Sequence, residues 1–209
     1  MSTSQTLSMR PRAYPASLSI DYPDRKLNRL TSFFRIFTVI PIAIVLGLMS
    51  GSGNEGWAAC GGILFLPLVL MILFRKKYPK WWFDWNLALT RFIYRVSAYL
   101  LLMRDEYPST DEEQAVHLEL VYPDVQTELG RGWPLVKWFL AIPHYIVLFF
   151  LAIAAFVVWI IAWFAILFTG RYPRTLFDFT SGVLRWALRV EAYAFLLITD
   201  KYPAFSFEP

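Results

Sequence analysis

Cysteine is almost missing from this chain: Cys60 is the sole one in 209 residues, so no internal disulfide can staple it. Histidine is nearly as scarce. His117 and His144 are the only two, and bis-histidine haem ligation would need them to meet. Charged residues make up 17%, well under the roughly 25% of soluble domains. No Lys/Arg block interleaves with a polar fold, and the net charge is only +4, which sets aside a nucleic-acid partner. There is no Walker loop, no GxGxxG, no His/Cys metal spacing and no Gly-x-Ser-x-Gly, so neither an enzyme nor a cofactor is expected. The stretch from Met1 to Pro15 carries Arg10 and Arg12 but no apolar run or cleavage site, and no secretory signal is expected.

What is present is apolar. Hydrophobic residues reach 57% and aromatic ones 18%, in runs long enough for lipid to be part of the solvent. Cys60 lies in such a run and reads as a small core residue.

The chain repeats itself. Leu18-Ser-Ile-Asp-Tyr-Pro-Asp24 returns as Leu118-Glu-Leu-Val-Tyr-Pro-Asp124. Ile40-Pro41 returns as Ile142-Pro143, and Tyr78-Pro79, Phe83-Asp84, Arg91, Arg95 and Tyr99 return as Tyr172-Pro173, Phe177-Asp178, Arg185, Arg189 and Tyr193. Each copy closes on a further Tyr-Pro, at Tyr107 and Tyr202. Matches in one order along nearly the whole chain establish a tandem duplication.

Each copy opens on an alternating stretch with strand character, residues 17–22 and 116–122. In the first copy residues 30–50 and 57–74 are of span length, separated by the Gly-rich loop 51–56. In the second, residues 132–168 form one apolar run whose helix would measure about 55 Å against a hydrocarbon core of about 30 Å. Two spans, 132–150 and 152–168, with a tight turn between, fit that run; one long tilted helix is the alternative. Residues 81–103 and 176–198 are apolar but carry Asp84, Arg91 and Arg95, and Asp178, Arg185 and Arg189, on one helical face. Such a stripe suits an interfacial helix. Two arginines in mid-bilayer would cost roughly 2.5–3.5 kcal/mol each.

The expected fold is thus an all-α polytopic membrane protein. Two repeats of a transmembrane hairpin plus an interfacial amphipathic helix carry short β-strands on the cytoplasmic face. Residues 1–16 form an N-terminal tail, 17–108 the first repeat, 109–115 an acidic linker, 116–203 the second repeat and 204–209 a C-terminal tail. Phe205 to Glu208 is a candidate further strand. Basic residues flank the spans on one side, so both termini are expected to be cytoplasmic.

Leu167-Phe-Thr-Gly-Arg-Tyr-Pro173, then Leu176-Phe-Asp178, Leu184-Arg-Trp186, Arg189 and Asp200-Lys-Tyr-Pro203, resembles a bacterial and archaeal membrane family catalogued as domain of unknown function 4389. The first copy is a degenerate version, with Phe74-Arg-Lys-Lys-Tyr-Pro79 in place of the Phe-Thr-Gly-Arg-Tyr-Pro string. The resemblance implies an integral membrane protein of the bacterial inner membrane and no activity.

The paired arginines Arg91/Arg95 and Arg185/Arg189 are the candidate lipid- or anion-binding residues, since a guanidinium matches phosphate geometry. The plain alternative is that they snorkel or pair locally. Asp84 and Asp178 read as helix N-caps after Tyr-Pro turns. Tyr99 and Tyr193 accompany the arginines, and Pro41 and Pro143 are expected to bend spans. His144 reads as a packed or hydrogen-bonded histidine. The functional expectation is a non-catalytic accessory or scaffold subunit in contact with the bilayer and other membrane proteins. A lipid- or small-solute-binding channel or carrier between the repeats is the alternative.

Overall fold

The computed structural model describes residues 14–23, 26–49, 62–110, 112, 114–126, 129–130 and 132–208. The loop 51–56, Cys60 and the tail before Tyr14 lie outside the described residues.

The alternating stretches form strands β1 (Ala16–Ile20) and β2 (Val116–Leu120). They pair antiparallel, with Leu18 opposite Leu118, Ala16 opposite Leu120 and Ile20 opposite Val116. All six of these apolar side chains are buried on one face, while Ser17, Ser19, His117 and Glu119 are exposed on the other. Exchanging the two copies exchanges the strands and leaves the ladder unchanged. A local two-fold axis therefore passes through the Leu18–Leu118 pair, perpendicular to the sheet. The closing segment around Phe205 forms no strand.

Helices follow the repeat. The first copy holds α1 (Arg29–Met49), α2 (Gly62–Arg75) and α3 (Lys80–Leu100). The second holds α4 (Trp133–Leu140), α5 (Ile142–Thr169) and α6 (Arg174–Ala194). Proline sets the breaks. Pro143 has no N–H for the carbonyl of Phe139 and its ring crowds that carbonyl, so α4 ends at Leu140 and α5 starts afresh. Pro41 stands in the same relation to Phe37, where α1 bends by 51° between Arg29–Arg35 and Phe37–Gly47.

The second apolar run is a correction to the expected hairpin. Residues 142–169 are one unbroken helix, about 42 Å long at 1.5 Å per residue. The stretch Phe150-Leu-Ala-Ile-Ala-Ala155 offers no Gly, Pro or polar side chain to hold a turn. In apolar surroundings a turn there would leave backbone groups unpaired, so the helix runs through. Among the described residues α5 is the one single helix long and apolar enough to cross a membrane; the bent α1 qualifies only if its two parts count together.

Helices α3 and α6 end on matching left-handed leucines, Leu102 (φ 64°) and Leu197 (φ 54°). The N–H of Met103 reaches back to the Ala98 carbonyl (3.0 Å) and that of Ile198 to Ala192 (3.1 Å), the wrap that satisfies a helix's last carbonyls.

Packing exchanges parts between copies. β1 rests on α6 and β2 on α3. On the far side from the sheet, α5 packs along α6 and α1 packs on both α3 and α5. The result is three layers: the sheet, then α3 and α6, then the apolar helices.

Candidate functional site

The two-fold axis organises every candidate residue. Bonds from Asp21 N–H to the Ala115 carbonyl (3.0 Å) and from Val121 N–H to the Pro15 carbonyl (2.9 Å) place the hydrogen-bonded pairs at odd-numbered β1 positions. The Leu18–Leu118 pair between them is consequently a non-hydrogen-bonded one, with both carbonyls pointing out of the ladder. Arginines fill both vacancies. Arg185 Nε donates to the Leu18 carbonyl (3.0 Å) and Arg91 Nε to the Leu118 carbonyl (2.9 Å). Each motif arginine thereby caps one open edge of the two-stranded sheet.

The second arginine of each pair holds the segment that follows its helix. Arg95 donates to the Ser109 carbonyl (2.8 Å), and Arg189 to the Ser206 carbonyl. Burial pulls the Arg189 guanidinium below its ordinary value; the Tyr14 phenol beside it works the other way, and Arg185 adds to the lowering. The two copies differ here. The C-terminal tail runs on over α6, where Arg185 also reaches the Phe207 carbonyl (3.5 Å). Above α3 the chain turns away into β2, leaving a polar cavity of about 150 Å³ lined by Arg91, Arg95, Gln114, His117 and Glu119.

A second duplicated site escaped sequence reasoning. Arg35 is 2% exposed and pairs with Asp105; Lys137 is fully buried, its Nζ 2.7 Å from Asp200 Oδ1 in a charge contact off the hydrogen-bonding direction. Each cation also donates to a backbone carbonyl beside its aspartate, Arg35 to Arg104 (2.5 Å) and Lys137 to Thr199 (2.8 Å). Each cation lies over a tyrosine, Arg35 4.3 Å from the Tyr99 ring centre and Lys137 5.3 Å from that of Tyr193. Each aspartate takes one more N–H, Asp105 from Asn28 and Asp200 from Gly130, both at 2.7 Å. All of these partners are repeat equivalents. The signal lay in the alignment: Arg35 and Lys137 stand equally far before Ile-Pro, and Asp105 and Asp200 equally far before Tyr-Pro. By position in the sequence alone, each cation looks like one of the basic flanks of a span.

Tyrosines make a third exchanged pair. Tyr22 donates to the Tyr172 carbonyl and Tyr122 to the Tyr78 carbonyl, both at 2.5 Å. Thus Tyr-Pro elements of opposite copies hold one another.

Asp84 and Asp178 are not caps, which corrects that expectation. Both lie a turn inside their helices, which begin on Pro79 and Pro173 with no side-chain cap. Pro79 and Pro173 occupy the N-cap positions themselves, in extended backbone with ψ 129° at both. Asp84 is exposed, and Asp178 pairs with Arg174 (3.4 Å). His144 is buried, accepts from Trp186 Nε1 (3.1 Å) and stacks on Phe205 at 4.0 Å. Among the described residues no group of three His, Cys, Asp or Glu could hold a metal ion.

These locks define the class first: a tandem-duplicated, mostly helical protein whose copies are bound through exchanged strands and side chains. The chain belongs to the family described as Domain of unknown function (DUF4389), which it matches twice, over residues 29–110 and 134–206. No curated protein and no solved structure matches it.

Proposed function

We propose that the chain is a non-catalytic integral protein of the bacterial inner membrane, an accessory or scaffold subunit packing against other membrane proteins, with both termini cytoplasmic. The observation that carries this reading is where its charges go. The four motif arginines, Arg35 and Lys137 all engage backbone carbonyls or aspartates of the chain itself. Large apolar side chains meanwhile remain exposed along α1, α4 and α5, among them Phe37, Phe139 and Phe168. A surface of that kind marks an interaction with lipid or with another protein's apolar face. Extraction in mild detergent, affinity capture of the full chain and mass spectrometry test the subunit role. Recovery of stoichiometric membrane-protein partners supports it, and recovery of a lone monomer counts against it.

One observation favours the second reading, a lipid- or small-solute-binding protein. Arg91 and Arg95 line a polar cavity, whereas their equivalents Arg185 and Arg189 reach the tail carbonyls of Phe207 and Ser206. Glu119 in its lining disfavours a strongly anionic guest. Co-extracted lipid and solute flux in liposomes that persist unchanged with Arg95→Gln would end this reading.

A further inference from the structure

We propose that α5 lies in the plane of the membrane instead of crossing it, with its exposed face in one leaflet. This rests on the membrane reading above. The case begins with which sides of α5 are covered. Phe149, Ile153, Phe156, Ile160, Phe164 and Phe168 recur every three or four residues along one exposed face. His144, Leu148, Leu151, Ala162 and Ile166 follow the opposite face and are buried or half-buried against the protein. The helix therefore meets the protein near both ends, at His144 and at Ala162 and Ile166, and between them Trp159 Nε1 donates to the Leu100 carbonyl (3.0 Å).

Both ends of α5 are fastened to the polar layer. At the C-terminal end the Leu27 N–H donates to the Gly170 carbonyl (2.9 Å) and Arg29 to the Phe168 carbonyl (3.0 Å). At the N-terminal end Tyr202 donates to the Leu140 carbonyl (3.1 Å), and the adjoining α4 buries Lys137 against Asp200. Points some 42 Å apart along the helix axis thus meet the same sheet-bearing side of the molecule. Helix α6, antiparallel beneath α5 after the Gly170–Pro173 turn, carries β1 on its other face.

Polarity then falls through the layers in one direction. The outer face of the sheet holds Ser17, Ser19, Glu119 and the Asp21–His117 pair (3.2 Å), whose side chains are 60% and 56% exposed; that face is wet. Were α5 to cross the bilayer, α6 and the sheet would go with it, and this face would enter hydrocarbon, where each unsatisfied polar group costs several kcal/mol. Laid flat, the same molecule puts the sheet in water and the α5 stripe among acyl chains. The occupant of the apolar face is thus one leaflet of lipid. Exposed Trp81 and Trp133 and the cations Lys26, Arg29, Arg171 and Arg174 match the interfacial and anionic headgroup zones.

The test uses the full chain with Cys60 replaced by Ala. Single cysteines mark the start of α4, which leads into α5, the C-terminal end of α5 and its middle: Gly132→Cys, where an added Cβ meets nothing within 4 Å, Arg171→Cys and Phe156→Cys. Lys201→Cys, also exposed, is a second marker for the N-terminal end should the Gly132 variant express poorly. A membrane-impermeant maleimide is applied to spheroplasts and to inside-out vesicles. The in-plane arrangement predicts that both end markers react in one preparation and stay at background in the other, while Phe156→Cys stays at background in both. End markers reacting in opposite preparations would overturn it, as would Phe156→Cys reacting from the side opposite the ends. A chain washed off membranes by alkaline carbonate would instead overturn the membrane reading itself.

Discussion

Leu18 and Leu118 face each other across the sheet, and each lends its carbonyl to an arginine of the opposite copy. The bond is one side chain satisfying one strand edge, and it occurs twice about one axis. Replacing Arg91 or Arg185 by Ala should therefore lower stability by similar amounts, about 1.5–3 kcal/mol each for a lost charged hydrogen bond. Thermal unfolding in detergent measures it. Unequal losses would be expected in one direction only, Arg185 the larger, because it also reaches the tail.

The buried pairs make a stronger prediction. Lys137→Met leaves Asp200 without its cation, and Asp200→Asn strands a buried ammonium. Either alone should cost about 3–5 kcal/mol, and the double replacement clearly less than the sum. A double-mutant cycle on unfolding midpoints reads the coupling; additive losses would show that the contact contributes nothing.

Two equivalent positions test the backbone. Gly170 sits at φ 73° and its counterpart Lys76 at φ 46°, in the left-handed region that costs a residue with a Cβ about 1 kcal/mol. Lys76→Gly should stabilise by up to that amount, and Gly170→Ala should destabilise by a similar one. The nearest atom to a Cβ at Gly170 is 3.6 Å away, so the cost there is conformational and not steric.

Tyr78 gives a pH dependence. Its phenol is buried, which pushes it upward, with Tyr122 adding to the shift; its hydroxyl donates to the Leu196 carbonyl (2.8 Å). A group raised in the folded state contributes stability that is complete below its unfolded value, near pH 10, and is lost as pH rises beyond it. Unfolding temperature should fall above about pH 10, and Tyr78→Phe should lessen that slope while lowering stability at pH 8 by about 1 kcal/mol. An unchanged alkaline slope in the variant would refute the assignment.

Much of the plan was legible in the residues. The duplication, both strands and the two amphipathic helices follow from repeated Tyr-Pro punctuation and from periodicities of 2 and 3.6, whereas the pairing of the strands does not. The continuity of α5 was harder to read, because length alone argued for a turn while the absence of any turn-forming residue argued against one. The second signal won. Asp after Tyr-Pro looks like an N-cap, yet the proline itself takes that position. Arg35 and Lys137 were hidden in another way. A basic residue inside an apolar run has the same appearance whether it faces lipid headgroups or a buried carboxylate, and the aspartate that decides it stands 70 residues from Arg35.

The exchange of strands has a further consequence for how such a unit can exist. Neither copy covers its own strand: β1 needs α6 and β2 needs α3. A polypeptide with one copy would present a naked strand and an uncovered helix face, and would reach a finished core only by pairing with a second molecule. The chain thus has the strand exchange of a homodimer carried out within one polypeptide.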